Sequence, residues 1–230
     1  MSPGQLVVVE ADTPVLSVRG IEVRYGGATA VEGVSFDLNL GAAIAILGPN
    51  GAGKSTLARA LAGLVPLHAG SMSFKGTDIT TAPAYRIRRL GLAYLPEERG
   101  VFRSLTVLEN LRLAVRLLPN RRDRIAGIER ALDSFPILRE RSMQLASTLS
   151  GGEQQMLALG RIVSVKPDVV VADEVSLGLA PQLVDSVFSG LEALRRAGSA
   201  VILIEQYVDR ALAFADRCII LRNGSPSWSG

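Results

Sequence analysis

The sequence predicts an α/β fold with a mostly parallel core sheet, an antiparallel β appendage near its start and a helical insert in its middle. Five short apolar runs, AIAILG, LAYLP, DVVVAD, AVILIEQ and RCIILRNG, are separated by helix-length segments, the pattern of parallel strands joined by crossover helices. Residues 15–40 instead alternate apolar and polar positions (LSVRGIEVRY, VSFDLNL), as antiparallel strands with one solvated face do. Between Pro96 and Leu149 no comparable strand occurs. VLENLRLAVRLL and RIAGIERALDSF there have helical spacing, with arginines on the remaining face and a break at PNRRD.

Composition fits one large domain or a domain with an insertion. Of 230 residues, 48% are hydrophobic and 20% charged, enough to bury a substantial core without covalent staples. The single cysteine, Cys218, excludes an intramolecular disulfide and a thiolate metal cluster, and reads as a core residue. The net charge of +3 comes mainly from arginines spread through the chain; with no dense basic tail, nucleic-acid binding is not expected. No window approaches eighteen consecutive apolar residues, and MSPGQLVVVEADTP lacks a basic flank, so neither a membrane span nor a signal peptide is expected. A role at a membrane would then require docking onto a partner. A mean hydropathy of +0.28 fits a partner surface as well as a large core. There is no internal repeat or long heptad array. The expected organisation is a core over 15–96 and 150–230, with a β subdomain at 15–40, a helical subdomain over 97–149 and an N-terminal extension over 1–14.

The strand AIAIL leads into GPNGAGKST, residues 48–56, and then into the helical LARALAGL. This is G-x-x-x-x-G-K-[ST] in its strand-to-helix context. Gly48, Pro49, Asn50, Gly51, Ala52 and Gly53 supply a loop whose glycines let backbone N–H groups converge on an anion. The helix N-terminus behind it adds partial positive charge. Lys54 would reach the β and γ phosphates of a nucleotide, Ser55 would complete the coordination of Mg2+, and Thr56 closes the motif.

VVVADE, residues 169–174, delivers two adjacent carboxylates at a strand end. Asp173 is the candidate metal partner, through a coordinated water, and Glu174 the candidate base that polarises an attacking water. A pair of surface acids is the plainer alternative. LSGGEQQ, residues 149–155, opens a helix with Ser150 at its cap and two glycines exposing backbone amides, which makes a second anion site or a merely well-capped helix. The apolar run of VILIEQYVDR stops on Glu205 and Gln206. Ligands of open α/β sheets sit beyond such strand ends, so Gln206 either meets a ligand or, with Glu205, caps a strand at the surface.

With these motifs in place the sequence resembles the ABC ATPases over nearly the whole chain. In that family the signature LSGG-x-Q, matched by Leu149, Ser150, Gly151, Gly152 and Gln154, contacts the γ-phosphate of ATP held by the opposite subunit of a head-to-tail dimer. The resemblance therefore implies ATP and Mg2+ as ligands, ATP hydrolysis, and a contact in trans through Ser150, Gly151, Gly152 and Glu153. Tyr25, in VRYGG, looks like the aromatic that stacks on adenine, although a tyrosine ending a strand also packs in ordinary ways. Glu97, in LAYLPEERG, stands where most of the family has a glutamine that senses magnesium and γ-phosphate; a carboxylate there can still bind the metal or its water. Gln206 falls where most members have a switch histidine, and the only histidine of the chain, His68, lies far upstream. An amide can hydrogen-bond a γ-phosphate oxygen but cannot take up a proton near neutral pH. SLGLAP, residues 176–181, occupies the place of the D-loop with Leu179 instead of its usual acid, and Val175 replaces the usual proline after the Asp-Glu pair.

YLPEERGVFRSLTVLENL, together with SLGLAP and LIEQ, looks like the second ATPase subunit of branched-chain amino acid importers, a group that includes amide and urea importers. In that group Glu and Gln are themselves the pattern at positions 97 and 206. The resemblance implies two such subunits, identical or paralogous, closing on ATP beneath integral-membrane permease subunits. The complex would sit at the cytoplasmic face of the inner membrane, with a substrate-binding protein as indirect partner. VFRSLTVLENL is the expected groove for a coupling helix of the permease. Other readings are an ABC ATPase of another transporter, a nucleic-acid- or ribosome-acting ABC protein, and a weakly hydrolysing regulatory subunit. The second usually needs a long coiled coil or tandem cassettes; the third is opposed by Lys54, Asp173 and Glu174. Solutes touch the permease and binding protein, so no residue here names the cargo.

Overall fold

The computed structural model describes residues 13–98 and 100–230, so most of the expected N-terminal extension lies outside the described residues. The chain runs β1 (Leu16–Tyr25), β2 (Ala28–Leu38), β3 (Ala43–Leu47), α1 (Lys54–Leu61), β4 (Ala69–Phe74), β5 (Thr77–Asp78), α2 (Ala84–Leu90) and β6 (Leu92–Leu95). It continues through α3 (Val107–Ala114), α4 (Arg121–Ser134), α5 (Pro136–Glu140), α6 (Gly151–Val163), β7 (Val169–Asp173), α7 (Pro181–Arg196), β8 (Ala200–Ile204), α8 (Val208–Phe214), β9 (Arg217–Arg222) and β10 (Ser225–Ser229).

Two sheets form. The first is antiparallel with order β2-β1-β4-β5, and the second has order β10-β9-β3-β8-β7-β6, parallel throughout except for β10. The core strands read as unbroken apolar runs because both faces are covered. Along β3, Ile44 and Ile46 point to a cluster shared with α1 and the antiparallel sheet, while Ala43, Ala45 and Leu47 point to a cluster shared with α3, α6 and α7. β7 and β8 divide in the same way, as the two-residue period of a strand requires. Apolar residues of the helical segment, Val107, Leu111, Leu132 and Leu138, belong to this second cluster. Cys218 is buried in it too.

Three features differ from the sequence reading. The antiparallel sheet gains β4 and β5 from SMSFKGTDI, where Met72 and Phe74 face inward two residues apart. SPSWS forms an antiparallel edge strand on β9. The helix over VLENLRLAVRLL stops at Ala114 and finishes as a 3-10 turn to Leu117, while α4 already starts at Arg121, inside the expected break. Asn120 sets that start: its side chain accepts the Asp123 N–H at 2.8 Å, satisfying one of the free donors of the first turn. Among the described residues no helix is long and apolar enough to cross a membrane.

Candidate nucleotide site

The loop between β3 and α1 is shaped by its glycines. Gly53 has φ of +96°, and a Cβ there would come within 2.3 Å of the Ala30 carbonyl oxygen. Gly48 has φ of +152°, and a Cβ there would meet the Leu221 carbonyl oxygen at 2.3 Å. The backbone thus turns where side chains have no room. Lys54 is only 4% exposed; its ammonium donates to the carbonyls of Gly48 (2.9 Å) and Pro49 (3.2 Å) and lies 3.5 Å from Glu174 Oε1.

The two carboxylates at the end of β7 take different roles. Asp173 is buried, and accepts the Ser55 hydroxyl at Oδ1 (3.0 Å) and the Tyr94 hydroxyl at Oδ2 (2.9 Å). Burial pushes its carboxyl above the usual aspartate range, the neighbouring Glu174 charge adds to this, and the two hydroxyl bonds pull it back. Glu174 lies one residue beyond the strand in the left-handed region, with φ of +49°. Its N–H donates to the Ile204 carbonyl (2.9 Å), which fixes the turn, and its Oε2 accepts the Gln206 amide at 2.7 Å.

Lys54, Ser55, Glu174 and Gln206 share one cavity of about 620 Å³, at the carboxyl ends of the parallel strands, while Asp173 lies behind Ser55 and does not line it. Tyr25, 49% exposed at the end of β1, lines it, as do Glu97, Lys54, Ser55, Glu174 and Gln206. ATP and Mg2+ suit what is present: a buried lysine, a glycine-rich loop lining the cavity, and the Ser55 hydroxyl beside a carboxylate. A magnesium ion would be held by Ser55, whose hydroxyl donates to Asp173 at 3.0 Å, with Asp173 acting through water, and by phosphate oxygens.

The family model described as ABC transporter matches residues 31–176. BraG of Pseudomonas aeruginosa, a high-affinity branched-chain amino acid transport ATP-binding protein, is 41% identical over 91% of this chain and 90% of its own length. The chain belongs to the ABC transporter family. The "probable branched-chain amino acid transport ATP-binding protein LivF" of Archaeoglobus fulgidus is 38% identical over 86% of this chain and 84% of its own length. A solved ATP-binding subunit of an ABC transporter superposes with a TM-score of 0.85 at 27% identity, covering 94% of this chain and 89% of that one.

The segment expected to act as the signature stands apart from this cavity: none of Ser150, Gly151, Gly152 or Glu153 lines it. Ser150 caps α6 in a reciprocal box, accepting the Glu153 N–H (3.3 Å) and donating its own N–H to Glu153 Oε2 (2.7 Å). Gly152 is buried, where a Cβ would strike the Leu183 side chain, so close packing of α6 on the start of α7 accounts for it. Gln154 is buried and donates to the carbonyls of Ala146 and Leu149, both at 3.1 Å, holding the approach to the helix. Three residues escaped the sequence reading as site supports. Tyr94 orients Asp173; Asn110, fully buried, clamps the backbone of Phe102 (2.9 Å in both directions) and Thr106; and Glu205 is 2% exposed. Glu205 therefore does not cap a strand at the surface. Its neighbours explain why: its carboxylate is filled with hydrogen bonds from the loop after Glu174.

Proposed function

We infer that this chain is the ATP-binding and ATP-hydrolysing subunit of an importer for branched-chain or related amino acids. The observation that carries the ATPase reading is the position of Glu174, between the Lys54 ammonium at 3.5 Å and the Gln206 amide at 2.7 Å in the phosphate-loop cavity. The 41% identity to BraG carries the transport reading. In this reading Lys54 and the loop amides hold the phosphates and Tyr25 stacks on the base. Ser55, Asp173 and Glu97 surround Mg2+, which when bound neutralises charge developing on the phosphates. Glu174 polarises the attacking water and Gln206 aligns it.

Because the signature residues lie outside the cavity of their own chain, the site is completed by Ser150–Glu153 of a second subunit, identical or paralogous, in a head-to-tail dimer. Residues 97–149 form the helical subdomain of the cassette, and 15–96 with 150–230 its core. The 101–111 segment docks onto an integral-membrane permease at the cytoplasmic face of the inner membrane, with a substrate-binding protein upstream.

The test is Glu174→Gln. It should bind MgATP and trap a dimer on sizing, yet hydrolyse at least about a hundredfold more slowly, since the base is removed and the cradle kept. Hydrolysis at the parental rate would sink the assignment of Glu174.

A further inference from the structure

Glu205, the acid of LIEQ, has no role in the nucleotide chemistry above, yet among the described residues it is one of the few charged ones that this fold buries. Its side chain reaches back to the loop that follows Glu174. Oε2 accepts the Ser176 hydroxyl at 2.7 Å, and Oε1 accepts the Ser176 N–H at 3.1 Å. The Gln206 N–H donates to Oε2 at 3.3 Å. Ser176 is itself 0% exposed, so neither partner has water as a substitute. Gln206 in turn donates its side-chain amide to Glu174 Oε2 at 2.7 Å, and the Glu174 N–H donates to the carbonyl of Ile204, the last residue of β8. These contacts close a ring: Glu174 through Val175 to Ser176, across to Glu205, along the chain to Gln206, and back to Glu174.

Such a ring does what a strand end alone cannot. β7 and β8 pair up to Asp173 and Ile204, and beyond that rung the Glu174 N–H to Ile204 carbonyl bond is the last the two strand ends share. Glu174 is left in a left-handed conformation that a non-glycine residue keeps only when its surroundings over-determine it. The buried carboxylate supplies that constraint by holding two backbone N–H groups and a hydroxyl from both loops at once.

We propose that Glu205 is a positioning residue for ATP hydrolysis, clasping Ser176 so that the base Glu174 and its partner Gln206 are held as one unit. The proposal rests on the reading of Glu174 as the base. It also makes the segment 174–176 a relay: displacement of the following loop by a second subunit would reach Gln206 through one buried side chain.

The experiment compares Glu205→Gln, which keeps shape but replaces an acceptor with a donor facing donors, and Ser176→Ala, which removes the hydroxyl. Each full-length chain is assayed for single-turnover hydrolysis at saturating MgATP and, separately, for MgATP affinity, well below its melting temperature. The expected result is a roughly tenfold slower turnover in each, with affinity changed by less than about twofold. Adding Gln206→Ala to Glu205→Gln should cost much less than it costs the parent, because the ring is already open. A merely structural glutamate would lower the melting temperature and leave turnover of the folded fraction unchanged. Parental turnover in the variants, or a Gln206→Ala effect that multiplies in full, overturns the proposal. Should Glu205→Gln fail to fold, Ser176→Ala alone and combined with Gln206→Ala decides by the same readouts. Glu174→Gln run alongside separates the two ideas: if it retains the parental rate, the base assignment and the clasp fall together; if it is slow and the clasp variants are not, the clasp alone falls.

Discussion

At the residue scale the site combines charges that burial would otherwise disfavour. Lys54 is 4% exposed and gains two loop carbonyls and one carboxylate; removing any one leaves the ammonium less compensated, and such losses cost roughly 3–5 kcal/mol when a buried pair is broken. In the proposed reading Lys54 is also the cation that holds the phosphates, so Lys54→Ala should abolish MgATP binding in a calorimetric titration, and retained binding would count against the phosphate loop. Gln206 donates its amide to Glu174, and in the proposed reading the same amide also meets a γ-phosphate. Gln206→Ala should cut turnover on the order of ten- to a hundredfold with ADP affinity nearly unchanged, a loss consistent with about 1.5–3 kcal/mol for a hydrogen bond to an ionised group. Asp173 illustrates the cost of function in stability. Its folded pKa is raised by burial, so the native state favours the protonated form, and its charge weakens the fold as pH rises above the ordinary value of 3.8. Asp173→Asn should then melt higher than the parent at neutral pH while losing hydrolysis. That gain should shrink as pH falls toward 3.8; thermal melts from pH 4 to 8 would show it, and a constant offset would refute the cause.

Elements were legible where burial imposed a period. β3, β7 and β8 read as apolar runs because both faces are covered, and the GPNGAGKST turn was legible because steric demands at Gly48 and Gly53 leave no freedom of residue type. β5 and β10 were not legible: one has two residues and the other is an exposed edge containing Pro226, so neither carries an alternating apolar face. The start of α4 was masked by polar residues that serve as a cap. Supporting residues were the hardest to find, since alternation marks the face on which Tyr94, Asn110 or Glu205 lies but not the partner that it meets across the fold. Asn110 shows how much such a partner does. Near the start of α3 its amide accepts the Phe102 N–H and donates to the Phe102 and Thr106 carbonyls, tying the 102–106 loop to the helix. Asn110→Ala would remove the side-chain partner of the Phe102 N–H and carbonyl, the Thr106 carbonyl keeping the residue 110 N–H, and should lower stability by about 2–3 kcal/mol in urea unfolding, more than a cap loss such as Thr106→Ala at about 1 kcal/mol. Equal effects would mean that water replaces the amide.

For the whole molecule, the nucleotide cavity and the proposed docking segment lie at two ends of one connection. Glu97 lines the cavity beside the phosphate loop, and the chain then runs through 101–106 to α3 within a few residues. That loop is held from below by Asn110 and from the side by Arg161, which donates to the Gly100 carbonyl and stacks on Phe102 at 4.9 Å. Burial and the neighbouring Arg88 charge push the Arg161 pKa down to about 10, which leaves it cationic under physiological conditions. Such bracing fixes Phe102 against its neighbours, which the proposed coupling from Glu97 to the docking segment would require. Phe102 is 47% exposed, an aromatic ring on a charged chain's surface with a firm footing beneath it. If this is where the permease docks, a carboxylate placed on the segment should disrupt the seat without reaching the cavity. Leu105→Asp is the cleaner probe, because Val101 packs partly against the core and Val101→Asp carries a folding penalty that must be measured first. In transporters reconstituted in vesicles, both variants should lose solute uptake and ATP turnover stimulated by the permease, while the isolated subunit hydrolyses ATP at the parental rate. Normal uptake by both would move the docking surface elsewhere on the cassette, and loss of hydrolysis in the isolated Leu105→Asp subunit would place the segment in the site and not beside it.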